Sequence, residues 1–325
     1  MFHRRDPCVR SPRLHPAWAL LLALLLGVGS TGCSVRKLAV DGVSDALGGI
    51  ADSFAADGDP ELVADALPFA LKTSESLLLQ SPEDVDLLLG NCKGFALYGY
   101  AFVELPAERL ELVDYRAARD EHRRALDLIL RARDYCLTAL ELTHPGAKKA
   151  LQLDPASALA NAGEEDVPLL YWTAASWGAA IALGLDRPEL VIDLPAVRAL
   201  LRRCLALDPD WNRGAIHDVM ITVEGLPENM GGSVAEARQH YERALELNGG
   251  QRAGTHVAWA TNISVRQQDR ADFEDKLHLA LEVDPDAVDE DRLANHVQQR
   301  RARFLLSQAD ELFLEPLDEV DEVDD

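Results

Sequence analysis

The stretch "ENMGGSVAEARQHYERALEL", Glu228 to Leu247, sets two glycines directly before an amphipathic pattern, and its reading decides the fold. A nucleotide-binding turn needs a strand before the glycines, a fixed glycine spacing and free amides at the helix start. None of the three is met. Ser233 and Glu236 read as a capping box, which uses the first-turn amides and puts a carboxylate where a phosphate would sit. The glycines are therefore expected to be a hinge between two helices, with Ala237, Tyr241 and Ala244 as the small, aromatic and small positions that let the second helix lie against its neighbours.

The end of this stretch recurs. "KALQLDP" at Lys149, "RCLALDP" at Arg203, "RALELNG" at Arg243 and "LALEVDP" at Leu279 align at 154, 208, 248 and 284, giving intervals of 54, 40 and 36 residues. The last two approach the roughly 34-residue tetratricopeptide unit, a helix-turn-helix. Apolar residues recur at three and four spacing almost everywhere, with little period-two alternation. The expected fold is all-α, built from degenerate tetratricopeptide-like repeats stacked as an α-superhelix, because no single helix pair buries its apolar face alone. Upstream, Asp41 to Ala56, Pro60 to Leu79, Pro82 to Leu105 and Leu110 to Leu142 read as successive helices, with Ser81 as a cap, Pro82 in the first turn and Asp84 as a capping-box acid.

The first residues carry Arg4, Arg5, Arg10 and Arg13, an apolar run from Ala17 to Leu26, and then "GVGSTGCS" from Gly27 to Ser34. That order is a secretory signal peptide, residues 1–32, whose apolar run falls short of the ~20 residues that span a bilayer. Thr31, Gly32 and Cys33 resemble a bacterial lipobox, although Ser30 stands where leucine is usual. Cys33 is the expected lipidation site, Ser34 after it does not resemble an inner-membrane retention signal, and the expected location is a periplasm-facing anchor in the outer membrane. Residues 33–314 form the expected repeat domain, and the acidic run 315–325 an expected disordered tail.

A net charge of −23 over 325 residues repels nucleic acid and anionic headgroups. Cys92, Cys136 and Cys204 lie in apolar-periodic segments without metal spacing. Buried free thiols are the favoured state, and a disulfide between Cys92 and Cys136 stays open. "QQRRARFLL", Gln298 to Leu306, is the one dense basic cluster and reads as a solvated face. There is no HExxH, no Cys/His zinc spacing and no GxSxG. Hence no enzyme activity, cofactor or metal is expected.

The segments "DVPLLYWTAASWGAAIAL", "GAIHDVMITVEGLPENMGGSVAEARQHYERALEL", "HVAWATNISVRQQDRADFEDKLHLALEVDPD" and "RRARFLLSQADELFL", running from Asp166 to Leu314, resemble the T-component proteins of tripartite ATP-independent periplasmic (TRAP) transporters. The resemblance implies a lipid-anchored helical-repeat adaptor that docks the solute-binding P component, forms homo-oligomers, and passes a hydrophobic or organic-acid ligand along a groove. On that reading Tyr171, Trp172, Trp177, His217, Glu224, Asn229 and Trp259 are candidates for lining the groove, against core packing as the competing role. A tetratricopeptide scaffold for envelope or outer-membrane protein assembly is the alternative function.

Overall fold

The computed structural model describes residues 53–314, which fall within one compact unit, Leu47–Asp325. The expected signal peptide, Cys33, most of the expected Asp41–Ala56 helix and the acidic tail lie outside the described residues. Among those described there is no strand, and the long helices are α1 (Pro60–Leu78), α2 (Val85–Gly99), α3 (Tyr115–Thr143), α4 (Val167–Leu183), α5 (Leu194–Leu207), α6 (Trp211–Glu224), α7 (Val234–Asn248), α8 (Ala253–Trp259), α9 (Arg270–Glu282) and α10 (Arg292–Ser307). The all-α expectation holds. Short helices fill the connections, as at Ala147–Leu153 between α3 and α4.

The repeated tails do what their pattern suggests, since each ends a helix. Leu153, Leu207, Asn248 and Glu282 are the last residues of their helices. Asp154 and Asp208 stand at the cap positions after two of them, and Gly249 takes the left-handed conformation that closes α7. Consecutive helices pack as neighbours: α2 on α3, α3 on α4, α4 on α5, α6 on α7, and α9 on α10.

Two boundaries differ from expectation. Helix α2 begins at Val85, with Asp84 itself as the cap accepting from the Leu87 amide at 3.0 Å. Ser81 instead closes a turn, its carbonyl accepting from the Asp84 amide. Further on, α2 does not run evenly to Leu105. It widens into a π-helical turn at Tyr100–Glu104 and resumes as α-helix over Leu105–Leu110. Pro106 has no N–H for the Phe102 carbonyl, and the ladder changes register just before it. A second π turn, Ala260–Ser264, follows α8.

Last helix and first helix meet. Val63, Leu67 and Leu71 of α1, Phe95 of α2, and Leu293 and Val297 of α10 share one apolar cluster. Around it, Arg300 pairs with Glu61, Arg301 pairs with Glu108 at 2.7 Å, and the Tyr100 hydroxyl accepts from Arg301 at 2.7 Å. The basic run read as a solvated face is therefore mostly committed to structure. Gln299 is buried and donates to the Val283 carbonyl at the end of α9, at 2.7 Å. Periodicity alone did not reveal this, because the partners lie at the far end of the chain.

Cys92 on α2 and Cys136 on α3 form a disulfide with both residues buried, and only Cys204 remains a free buried thiol among the described residues. The favoured free-thiol reading thus holds for Cys204 and fails for the other two. Nearby, His122 has Glu104 at Nδ1 (2.9 Å) and Glu111 at Nε2 (3.0 Å). Carboxylates only accept here, so both ring nitrogens carry protons. Burial opposes that charge, but the two carboxylates outweigh it and raise the His122 pKa.

The quoted stretch folds as a hinge. Gly231 is left-handed at φ 84°, and a Cβ on Gly232 would collide with the Leu226 carbonyl. Ser233 accepts from the Glu236 amide at 3.3 Å. The return half of the capping box is taken over by the backbone, because the Ser233 amide donates to the Glu224 carbonyl at 2.8 Å.

The crosslink closes a 44-residue separation, which is worth about 4 kcal/mol in a chain-entropy treatment. Replacing both Cys92 and Cys136 by Ala should lower the unfolding free energy by about 2–4 kcal/mol in urea titration. Gly232→Ala should cost about 1–3 kcal/mol or more through the forced backbone shift. Gly249→Ala, in open space at φ 66°, should cost about 1 kcal/mol. For His122 the raised pKa fixes the sign. Its contribution is complete below the unfolded value near 6.5 and is lost as pH rises through the folded value. The stability gap between wild type and His122→Gln should therefore narrow from pH 6 to pH 9.

Candidate functional site

Helices α4, α6 and α8 bring together a half-buried aromatic cluster that the sequence reading located only in part. Tyr171 and Trp172, in the first turns of α4, meet edge to face with centroids 5.4 Å apart, and Trp211, at the start of α6, lies 4.7 Å from Tyr171. Tyr171 keeps partial exposure, yet burial drives its phenol well above the ordinary value. Two turns along α6, Asp218 joins it.

Asp218 Oδ1 accepts from the Thr255 hydroxyl at 2.6 Å, and the Thr255 oxygen in turn accepts from Asn248 at 3.1 Å. Its other oxygen is 3.6 Å from Arg252. Burial pushes the Asp218 carboxyl up to about 6 against the pull of Thr255 and Arg252. The cluster therefore sets aromatic faces near one carboxyl that burial pushes up to about 6 and one guanidinium. Such a surface can hold an apolar body and orient one polar end of it.

What positions these groups is a strained turn. Asn212, Arg213 and Gly214 all have positive φ, at 44°, 53° and 89°, an uncommon choice for the two non-glycine residues. Arg213 is held there by Asp291 Oδ2 at 2.6 Å and the Asn248 carbonyl at 2.8 Å. Arg252 takes the other Asp291 oxygen at 2.9 Å and reaches Asn212 Oδ1 at 3.2 Å. At Gly214 a Cβ would come within 3.3 Å of the Ala244 backbone, so α6 and α7 can approach only with glycine there.

The other candidates go elsewhere. Trp177 is 2% exposed, with the Arg133 guanidinium over its ring. Trp259, 1% exposed, donates to Asp272 at 2.6 Å and packs on Tyr241. Glu224, 1% exposed, pairs with Arg198 at 2.7 Å. The same guanidinium reaches the Val223 and Met230 carbonyls at 3.1 and 3.4 Å, so this pair braces the Gly225–Ser233 turn. Asn229 is exposed on that turn. His217 points away from Asp218, toward α7, where its Nδ1 lies 2.8 Å from Nδ1 of His240.

Trp211, Asp218 and Arg252 were not picked out from sequence. Trp211 had a usable signal, since it follows the "LALDP" tail directly and so opens a helix. A recess of about 170 Å³ lies on the seam between α1 and α10, with Phe102, Leu105, Val297 and Phe304 as apolar walls and Arg109 and Arg300 at its edge. No group of three or more His, Cys, Asp or Glu side chains able to hold a metal occurs among the described residues.

A protein of Treponema pallidum (strain Nichols), described as uncharacterized, is 29% identical over 303 residues, covering 87% of this chain and 94% of that protein. The family model of the TRAP transporter T-component matches residues 56–313, which takes in α1 through α10, the aromatic cluster, the seam recess and the quoted hinge. The chain belongs to the TRAP transporter T-component family.

Proposed function

We propose that this T component is a periplasm-facing adaptor, tethered by a lipid on Cys33, that docks the solute-binding P component of its transporter and passes a hydrophobic or organic-acid ligand across the cluster of Tyr171, Trp172 and Trp211. A T component is an accessory of a transporter rather than an enzyme. The observation that carries the reading is a cluster of three half-buried aromatic rings, with Asp218 and Arg252 close enough to act on the Tyr171 phenol. Aromatic faces give contact area without demanding one exact ligand, and the charged pair gives that contact an orientation. A lipid tether fits a chain in which, among the described residues, no helix is long and apolar enough to cross a membrane. The acid excess keeps such a protein off anionic headgroups and leaves it open to a partner of complementary charge. Homo-oligomers on the outer membrane would place several such clusters side by side.

Two measurements test this. The solute-binding protein encoded beside the gene should co-purify with the chain at low salt, and its failure to do so sinks the docking role. Titration with long-chain and aromatic carboxylates should show saturable binding, weakened about tenfold or more in a Tyr171→Ala, Trp211→Ala variant that still captures the P component. If that variant binds the carboxylates as well as wild type, the cluster is not the ligand path.

A further inference from the structure

Outside that cluster, α6 and α7 set two imidazoles nitrogen to nitrogen, their ring planes tilted by 44°. His217 on α6 is buried and its Nε2 lies 3.1 Å from the Pro209 carbonyl. A carbonyl only accepts, so Nε2 carries the proton and Nδ1 is left with a lone pair. That lone pair points at Nδ1 of His240, 2.8 Å away, with ring centroids 5.0 Å apart. In the metal-free protein His240 Nδ1–H donates across this gap. Nε2 of His240 has no hydrogen-bond partner among the described residues.

We propose that His217 and His240 form a two-histidine site for a nitrogen-preferring divalent transition ion, with Zn²⁺ as the working case, bridging α6 and α7 through the two Nδ1 atoms. Each part of the arrangement suits that chemistry. Zinc takes imidazole nitrogen at about 2.0–2.1 Å with tetrahedral angles, which sets the two nitrogens roughly 3.3 Å apart. The rings need part by about half an ångström from their present spacing and tilt so that both Nδ1 lone pairs converge on the ion. The His240 proton moves from Nδ1 to the open Nε2, so the ion replaces a hydrogen bond without a net loss of protons.

The Pro209 carbonyl supplies the outer support that ligating histidines require, fixing the tautomer and the ring plane of His217. Arg243, the nearest cation, is occupied by Asp210 at 2.6 Å and Glu246 at 2.5 Å. No third protein ligand completes a cage among the described residues, and water fills the remaining positions. The ion is therefore exchangeable, and hard cations such as Mg²⁺, which take oxygen ligands, are disfavoured.

Isothermal titration of the chelator-dialysed full chain with ZnCl₂ tests the site, in excess MgCl₂ to saturate the acidic surface. Wild type should take up one tight equivalent. His240→Gln, at a half-buried position with a single ring hydrogen bond, should keep its thermal midpoint without metal and bind that equivalent about tenfold or more weakly. Imidazole ¹H–¹⁵N spectra give a second readout, since Zn²⁺ should move His240 from the Nδ1–H to the Nε2–H tautomer while His217 stays Nε2–H. Unchanged affinity in His240→Gln, absence of the tight equivalent in wild type, or a His240 tautomer that does not respond would each overturn the proposal.

Discussion

One carboxylate, that of Asp291, lies between two guanidiniums and ties together parts of the chain that would otherwise part. Arg213 at the mouth of α6 and Arg252 just before α8 each take one of its oxygens, 39 residues apart in sequence from Arg252 and 78 from Arg213. Removing two cations and an anion from water is costly, and such a group holds only if nearly every donor finds an acceptor. Here the spare donors reach the Asn248 carbonyl, Gln251 and Asn212. The left-handed turn at Asn212 and Arg213 persists because these bonds over-determine it. That turn aims Trp211 at Tyr171, and Arg252, held from the other side, faces Asp218. The aromatic cluster is thus a by-product of a buried ionic knot a few residues away.

The same logic separates cluster from core among residues of one chemical kind. Trp177, Trp211 and Trp259 are the same side chain, each carried by a helix but at different places along it. Trp259 finds an acceptor in Asp272 and a ring in Tyr241, so it can be enclosed completely. Trp211 begins its helix and stays half-buried. Glu224 and Asp218 differ in their partners: Glu224 meets Arg198 head on at 2.7 Å, while Asp218 has its guanidinium partner at 3.6 Å.

Much of the architecture was legible from residue order, because it depends on local rules. The helical period, the recurring "LALDP"-like tails and the cap at Ser233 are all short-range signals, and all are present in the structure. What escaped depends on groups far apart in sequence. The π turn at Tyr100–Glu104 could be suspected from Pro106, but nothing local separates it from a simple break. The Cys92–Cys136 crosslink required α2 and α3 to be neighbours in one particular rotation. Arg300 and Arg301 looked solvated because Glu61 and Glu108 are about two hundred residues away. At the site, Tyr171 and Trp172 were recognisable as a pair, whereas Asp218 and Arg252 are ordinary charged residues in sequence and acquire meaning only beside them.

The meeting of α10 with α1 also bears on how the molecule is made. Glu61 and Arg300 are separated by 239 residues, so the contact comes at the end of the order in which the chain leaves the ribosome or a translocation pore. Until α10 arrives, Val63, Leu67 and Leu71 lack part of their cover. Contacts this distant carry a large loop-closure cost and slow the final step of folding. A chain cut short before Leu293 would present that uncovered apolar stripe to chaperones and proteases. The seam thus serves as a completeness check, by which a full-length chain conceals what an unfinished one displays.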